Sequence, residues 1–323
     1  MYLPRSMRVV EVGMRDGLQS VRKTIPTSEK LQLVESLLES GVTEIEVASF
    51  AHPKVLPQLA DAEALLAVVP RHEGFHYRGL VPNAHGARRA IDSGVNEIVA
   101  LTCTDPEITM INQRRTHPQM WDELDNILNA AGDTPVTVAI VMSFFAYGTG
   151  LVDPEKLDAF VDQIVSAGAT SIYVADSAGL ADPRQVFDAI RRIKSHRPDL
   201  KVGVHLHTRG GFALANTLAA MQAGVDWVEG AFCGLGGDLW LPGDSDVLGN
   251  TPTEDLVAML QYMGISTGID LEKYGETVEL AKGITGSPAF GHFTRGGSRI
   301  EMQEIDWKEI LSQPGKEIPS TQD

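Results

Sequence analysis

Two histidines spaced two apart, His205 and His207 in the run Val202-Gly-Val-His-Leu-His207, are the residues best suited to chemistry in this chain of 323 residues. The run is apolar, opens at Lys201 and closes on Thr208-Arg209-Gly210-Gly211, the pattern of a buried strand ending in a Gly-rich turn. Alternate side chains of a strand share a face, so both imidazoles project the same way. In that relation they form a pair of metal ligands. Nitrogen ligands alone suit zinc, copper or iron, whereas imidazole mixed with carboxylate and water also suits magnesium or manganese. The same pair is equally at home as satisfied core residues or at an exposed strand end, so the question is whether the fold brings an oxygen ligand to it. The two cysteines, Cys103 and Cys233, sit in separate apolar runs with neither zinc-finger nor disulfide spacing, which suits a reducing compartment.

The elements that must position these residues alternate along the chain. Strands are expected at Arg8 to Gly13, Glu44 to Phe50, Tyr77 to Val81, Glu97 to Thr102, Val136 to Ser143, Ser171 to Asp176, Val202 to His207 and Trp227 to Cys233. Each is followed by a helical pattern: one capped by Ser28 and closed by Gly41, one around Leu59 to Val68, then Ala84 to Ser93, Gln119 to Ala131, Pro154 to Ala167, Pro183 to Ser195, Phe212 to Ala223 and Thr253 to Met263. Four helix-to-strand joins repeat a small residue and Gly before an apolar run, as in Ser40-Gly41-Val42 and Ala223-Gly224-Val225. Eight such units with continuously apolar strands predict a closed (β/α)8 TIM barrel over residues 1–268; a doubly wound open sheet has no need of eight. Residues 269–323, with one helix from Leu271 to Lys282, are expected to pack as an extension on the barrel or on a partner subunit.

Composition narrows the function. With 43% hydrophobic and 22% charged residues the chain can bury a large core. A formal net charge of -16 argues against nucleic acid as a partner, because phosphate backbones are held by clustered Lys and Arg. No apolar run approaches the length of a signal peptide core or a membrane span, so a cytoplasmic protein without a membrane partner is expected.

Barrel enzymes work at the C-terminal ends of their strands, and the candidates fall there together. Arg15 and Asp16 follow the first strand, Glu46 lies in the second, Asp176 ends the sixth, His205 and His207 end the seventh, and Asn250 lies in the long loop after the eighth. Strands one, seven and eight are neighbours in a closed barrel. Asp16 can therefore reach both histidines, giving an Asp plus two His with open positions, the composition of a catalytic divalent-metal site.

Arg15-Asp16-Gly17-Leu18-Gln19, Glu46 in Ile-Glu-Val-Ala-Ser-Phe, His205-Leu-His207, Gly234-Leu-Gly-Gly237 and Gly249-Asn250 before Thr253-Glu254-Asp255-Leu256-Val257 appear in an order that resembles the metal-dependent TIM-barrel lyases and synthases, most of all the 3-hydroxy-3-methylglutaryl-CoA lyase family. That resemblance implies Mg2+ or Mn2+ held by Asp16, His205 and His207 and completed by Asn250. It implies Arg15 at the enolate oxygen, Glu46 and Asp176 orienting the ligands, Gln19 and Asp176 near the substrate, and His205 as the base. The implied reaction splits an acyl-CoA or hydroxy-acid substrate into acetyl-CoA and a keto acid, in a homodimer. The family carries a cysteine directly after the Gly-rich stretch, where this chain has Asp238, followed by Trp240 in a longer loop. A carboxylic acid with a raised pKa serves as proton donor only if buried, and Cys233 is the other candidate. Trp240 is placed to line a pocket for a bulkier acyl group. Asn112-Gln113-Arg114-Arg115 is read as a polar loop able to hold a phosphate or carboxylate. A condensing synthase, an aldolase with another acyl substrate, and a catalytically impaired relative remain open alternatives.

Overall fold

Strand segments such as Val136-Thr-Val-Ala-Ile-Val141 are apolar on both faces because both faces are covered, the inner by the barrel interior and the outer by helices. In the computed structural model, which describes residues 3–237, 248–308 and 312, eight parallel strands close on themselves in chain order. They are β1 (Arg8–Glu11), β2 (Glu44–Ser49), β3 (His76–Val81), β4 (Glu97–Cys103), β5 (Val136–Val141), β6 (Ser171–Asp176), β7 (Lys201–Leu206) and β8 (Trp227–Gly230). Closure is made by β8 against β1, with Arg8 opposite Trp227 and Val10 opposite Glu229. The chain is a (β/α)8 TIM barrel, as its alternation predicts.

The connecting helices are α1 (Thr27–Glu39), α2 (Ala62–Leu66), α3 (Ala84–Asp92), α4 (Pro106–Gln113), α5 (His117–Ala131), α6 (Pro154–Ser166), α7 (Pro183–His196), α8 (Ala213–Ala223) and α9 (Thr253–Tyr262). Ser28 falls inside the first turn of α1 rather than at its cap; the cap position is Pro26, which has no side-chain acceptor to offer. The segment expected as a helix from Leu59 to Val68 is split into a short turn at Pro57–Leu59 and α2. The supposed polar loop at 112–115 is the end of α4. Asp105 starts that helix by accepting from the amides of Glu107 (2.8 Å) and Ile108 (3.1 Å), and Arg114 ends it at φ 54°. With only Ile108 and Thr109 buried, α4 shows no apolar periodicity to read. Arg115 is spent on structure, donating to the Pro82 carbonyl (2.8 Å) and pairing with Glu123 (3.2 Å).

Helix α10 (Leu271–Thr285) packs on the barrel against α1 and α9. Its Tyr274 hydroxyl donates to Glu11 Oε2 (2.6 Å), which also accepts from Thr253 Oγ1 (2.8 Å), while Glu11 Oε1 accepts from the amides of Gly13 (2.7 Å) and Phe232 (3.0 Å). One buried carboxyl thus joins the end of β1, the exit of β8, the start of α9 and α10. Burial pushes the Glu11 carboxyl up to about 7 against these donors, and it pushes fully buried Glu254 up to about 8, with Asp255 and Glu11 adding to the effect.

Both groups hold their proton more tightly folded than unfolded. Their contribution to stability is complete below the ordinary carboxyl value of 4.5 and is lost as pH rises through about 7 and 8. Glu254→Gln removes one titration. Its urea midpoint is expected to exceed the parent's near pH 8, with the gap closing near pH 5; a constant gap across that range would show that Glu254 does not titrate in this way.

Candidate active site

β1 runs into a tight turn at Gly13–Gly17 in which the Val12 carbonyl accepts from the amides of Arg15 (3.1 Å), Asp16 (2.7 Å) and Gly17 (3.3 Å). Arg15 and Asp16 are thereby held, buried, at the mouth of the barrel. Arg15 is clamped by Glu46 of β2, Nε to Oε1 at 2.6 Å and Nη2 to Oε2 at 3.3 Å, and its Nη1 contacts Asp16 Oδ1. Burial opposes charge on this guanidinium, but Glu46 and Asp16 prevail and hold it firmly cationic.

Across the mouth, β7 aims His205 and His207 the same way, and their Nε2 atoms stand 3.1 Å apart. His205 Nδ1 lies 2.9 Å from Glu229 Oε2, and His207 Nδ1 lies 2.8 Å from the Leu248 carbonyl. Asp16 Oδ2 is 4.0 Å from His205 Nε2 and accepts from Asn250 Nδ2 at 2.6 Å. Asn250 is placed by residues 249–252 threading between the ends of β7 and β8. There the Thr208 amide donates to Gly249 O (2.9 Å), Thr251 to Leu206 O (2.9 Å) and Ala231 to Thr251 O (3.0 Å). Beneath Asn250 lies Gly236, with φ 125°; a Cβ there would stand 2.0 Å from Asn250 Nδ2 and 2.6 Å from Asp16 Oδ2.

The donor chemistry of this cluster fits a divalent cation. A carbonyl only accepts, so His207 Nδ1 carries the proton, and a carboxylate opposite His205 Nδ1 puts the proton there as well. In their neutral forms the two imidazoles then offer Nε2 as the free lone pair, facing one another and Asp16, with one ligand atom from each residue inside 4.8 Å. Without a cation the 3.1 Å contact between the two Nε2 atoms is a hydrogen bond that needs a proton on one of them; with a cation, two nitrogens and one carboxylate oxygen suit a first-row divalent ion or magnesium. Burial, then His205, drives His207 down to about 4, so its Nε2 stays unprotonated at neutral pH. Burial works in the same direction on His205 but is outweighed by Glu229 and Asp16, which raise it. Burial would raise Asp16; Arg15 and the two histidines hold it well below the usual carboxylate range instead.

The structure thus brings together Arg15, Asp16, Glu46, His205, His207 and Asn250. Gln19 also belongs to the cluster, but its amide donates to Asp16 Oδ1 (2.9 Å) and so braces the aspartate. Asp176 does not orient an imidazole: its carboxylate accepts from the Leu180 (3.1 Å) and Ala181 (3.0 Å) amides of its own loop, and burial raises it to about 6. Glu46 braces Arg15 and not a histidine. The carboxylate on His205 is Glu229, overlooked because Trp227 to Cys233 reads as one apolar strand. The signal available was period two, which places Glu229 inward between Trp227 and Ala231. Cys233 lies beyond the shorter β8, in a turn at φ 59°, with its thiol 3.6 Å from the Val278 carbonyl of α10 and in the outer core, away from the histidines. Burial raises that thiol well above its ordinary range. Asp238 and Trp240 lie outside the described residues.

Residues 6–280 match the model of the HMGL-like family. The chain belongs to that family. It is 35% identical over 274 residues to the mitochondrial hydroxymethylglutaryl-CoA lyase of Rattus norvegicus, covering 84% of this chain and 83% of that protein. Among solved structures, an HMG-CoA lyase from Acinetobacter baumannii in complex with coenzyme A and 3-methylmalate superposes with a TM-score of 0.88 at 30% identity, over 94% of this chain and 98% of the other. The HMG-CoA lyase of Bacillus subtilis gives 0.87 at 29% identity, over 92% and 99%. The protein is accordingly a carbon–carbon lyase of the hydroxymethylglutaryl-CoA lyase-like group. Among the described residues no helix is long and apolar enough to cross a membrane.

Gly236→Ala tests how closely the loop is fitted to the cluster. The added methyl is expected to push Asn250 off Asp16, weakening Mn2+ binding measured by calorimetry and costing about 1–3 kcal/mol of stability at this strained φ; parent-like values in both would show that the loop does not brace Asp16.

Proposed function

We propose that the protein is a divalent-metal-dependent lyase that cleaves 3-hydroxy-3-methylglutaryl-CoA, or a close acyl-CoA analogue, to acetyl-CoA and a keto acid. One observation carries this reading: one ligand atom from each of Asp16, His205 and His207 lies within 4.8 Å of the others, beside the buried Arg15 guanidinium. Mg2+ or Mn2+ fits that donor set, with Asp16, His205 and His207 as ligands and Asn250 at the edge of the shell. When bound, such an ion would draw electron density from the substrate's oxygens and make its tertiary hydroxyl more acidic.

The chain's own residues then account for the proton and charge movements. His205, whose Nδ1–H is held by Glu229, takes the hydroxyl proton at Nε2 when that lone pair is not engaged as a ligand, since one lone pair cannot serve both roles at once. As that oxygen becomes a ketone, the adjacent carbon–carbon bond breaks and its electron pair passes to the thioester as an enolate. Arg15, fixed by Glu46 before substrate arrives, stabilises the enolate oxygen without having to reorganise. Asp238 supplies the proton that completes the acetyl group; it follows Gly237, whose amide lies 3.4 Å from Asp16 Oδ2. A second reading, cleavage of a bulkier 3-hydroxyacyl-CoA on the same centre, is favoured by Asp238 standing where the family carries cysteine and by Trp240 close behind it.

Purified protein with Mn2+ is expected to convert 3-hydroxy-3-methylglutaryl-CoA to acetyl-CoA and acetoacetate, and chelation to abolish the conversion. Bound Mn2+ without cleavage would move the assignment to bulkier esters, and no metal-dependent cleavage of any 3-hydroxyacyl-CoA would end it. Asp238→Asn should lower kcat about a hundredfold or more, the scale of a general acid, while Mn2+ affinity stays at the parent's value. Unchanged turnover would remove Asp238 from the mechanism.

A further inference from the structure

We propose that Glu229 is the positioning residue that sets the tautomer of His205, and that it does so as an acceptor-only group locked from below by Trp227 and Arg78. The inference rests on the reading that Asp16, His205 and His207 hold the ion. Three N–H donors converge on this one fully buried carboxylate: His205 Nδ1 at 2.9 Å on Oε2, then Trp227 Nε1 at 2.9 Å and Arg78 Nη1 at 3.3 Å on Oε1. Indole and guanidinium nitrogens donate and never accept, so Oε1 must be an acceptor. With Oε2 also accepting, His205 carries its proton on Nδ1 and leaves Nε2 bare. Serving as a ligand, or instead as a base, requires that lone pair on Nε2.

The barrel interior keeps this carboxylate from turning. Trp227 and Glu229 point inward from β8, and the indole lies against Gly203 of β7, where a Cβ would stand 2.0 Å from the ring. Any larger residue at position 203 would displace the donor that fixes Oε1. Arg78, fully buried on β3, stacks its guanidinium 5.1 Å from the Trp227 ring and is itself paired with Glu44 of β2 and Glu97 of β4. Four strands on the far side of the barrel from β7 or beside it therefore hold one oxygen in place. Glu46 and Asp176 are committed to Arg15 and to loop amides, so among the described residues Glu229 is the carboxylate bonded to a histidine of the cluster.

Glu229→Gln keeps the shape and replaces one acceptor by an NH2 donor. With the NH2 toward Trp227 and Arg78 it opposes their N–H groups. Turned toward His205, it forces the imidazole to accept at Nδ1 and carry its proton on Nε2. Either way Mn2+ affinity, read as free Mn2+ by electron paramagnetic resonance, is expected to fall about ten- to a hundredfold with an unchanged circular dichroism spectrum. Adding Trp227→Phe to Glu229→Gln removes one opposing donor and should restore part of that affinity, although Trp227→Phe alone gives the parent protein no gain. Glu229→Gln binding as tightly as the parent, while His207→Ala binds weakly, overturns the inference and leaves the ion site standing. Loss in Glu229→Gln with no recovery in the double variant also overturns it, by showing a structural role only. Retention of Mn2+ by His207→Ala as well would overturn the ion site first.

Discussion

The convergence of Asp16, His205 and His207 at the barrel mouth is the constraint on which the rest of the site depends. None of these three side chains is free to rotate. Asp16 is gripped by Arg15, Gln19 and Asn250, His207 by the Leu248 carbonyl, and His205 by Glu229. Arg15, Gln19, Glu229 and the Leu248 carbonyl all act on the atom remote from the cluster's centre, whereas Asn250 bonds Asp16 Oδ2 itself. Side chains held in this way would lose little conformational entropy on binding a cation. Because the brace on each ligand is itself braced, as Glu46 braces Arg15, a change two contacts from the centre still reaches it.

Only a closed barrel can supply those braces at once. Asp16 follows β1, the histidines end β7 and Glu229 lies on β8, and closure makes these neighbours although nearly two hundred residues separate the first from the others. Closure also buries the charges of Arg78, Glu44, Glu97 and Glu229 together, so that they must satisfy one another. An apolar filling of the same volume would serve stability as well or better. What the buried charges add is direction, since an ion-paired guanidinium and an indole N–H can aim a carboxylate where aliphatic side chains cannot.

Much of this was legible in the linear chain, for reasons that differ between residues. The barrel could be read because its strands are apolar on both faces and its helix-to-strand joins repeat a small residue and Gly, both of them local signals. Asp16, His205 and His207 could be gathered because strand order in a barrel follows chain order. Glu229 was hidden: an acid inside an apolar run looks like an interruption unless period two is applied, and its purpose depends on Arg78 of β3, which no local window contains. Asp176 is a similar case. Its position at the end of β6 is what the barrel geometry suggests, but whether a carboxylate turns toward a ligand or toward its own loop amides is decided by backbone conformation at Gly179 to Ala181. Helix α4 escaped because its start is signalled by Asp105 and Pro106 and not by any apolar stripe.

Helix α10 belongs to the same support. Tyr274 reaches past α9 to Glu11, and Glu11 in turn holds the amides of Gly13 and Phe232, the first residues of the two loops that carry Asp16 and the Gly-rich stretch. Gly13 has no alternative to glycine, because a Cβ there would lie 2.5 Å from both Glu11 Oε1 and the Phe232 ring. The loop conformations at the mouth are therefore set partly by a residue that comes after the last barrel helix in the chain. A barrel ending at α9 would close, but it would leave a buried carboxyl without its shortest hydrogen bond beside the loops that hold the centre. Helix α10 is thus continuous with the site's support even though none of its side chains stands among the ligands.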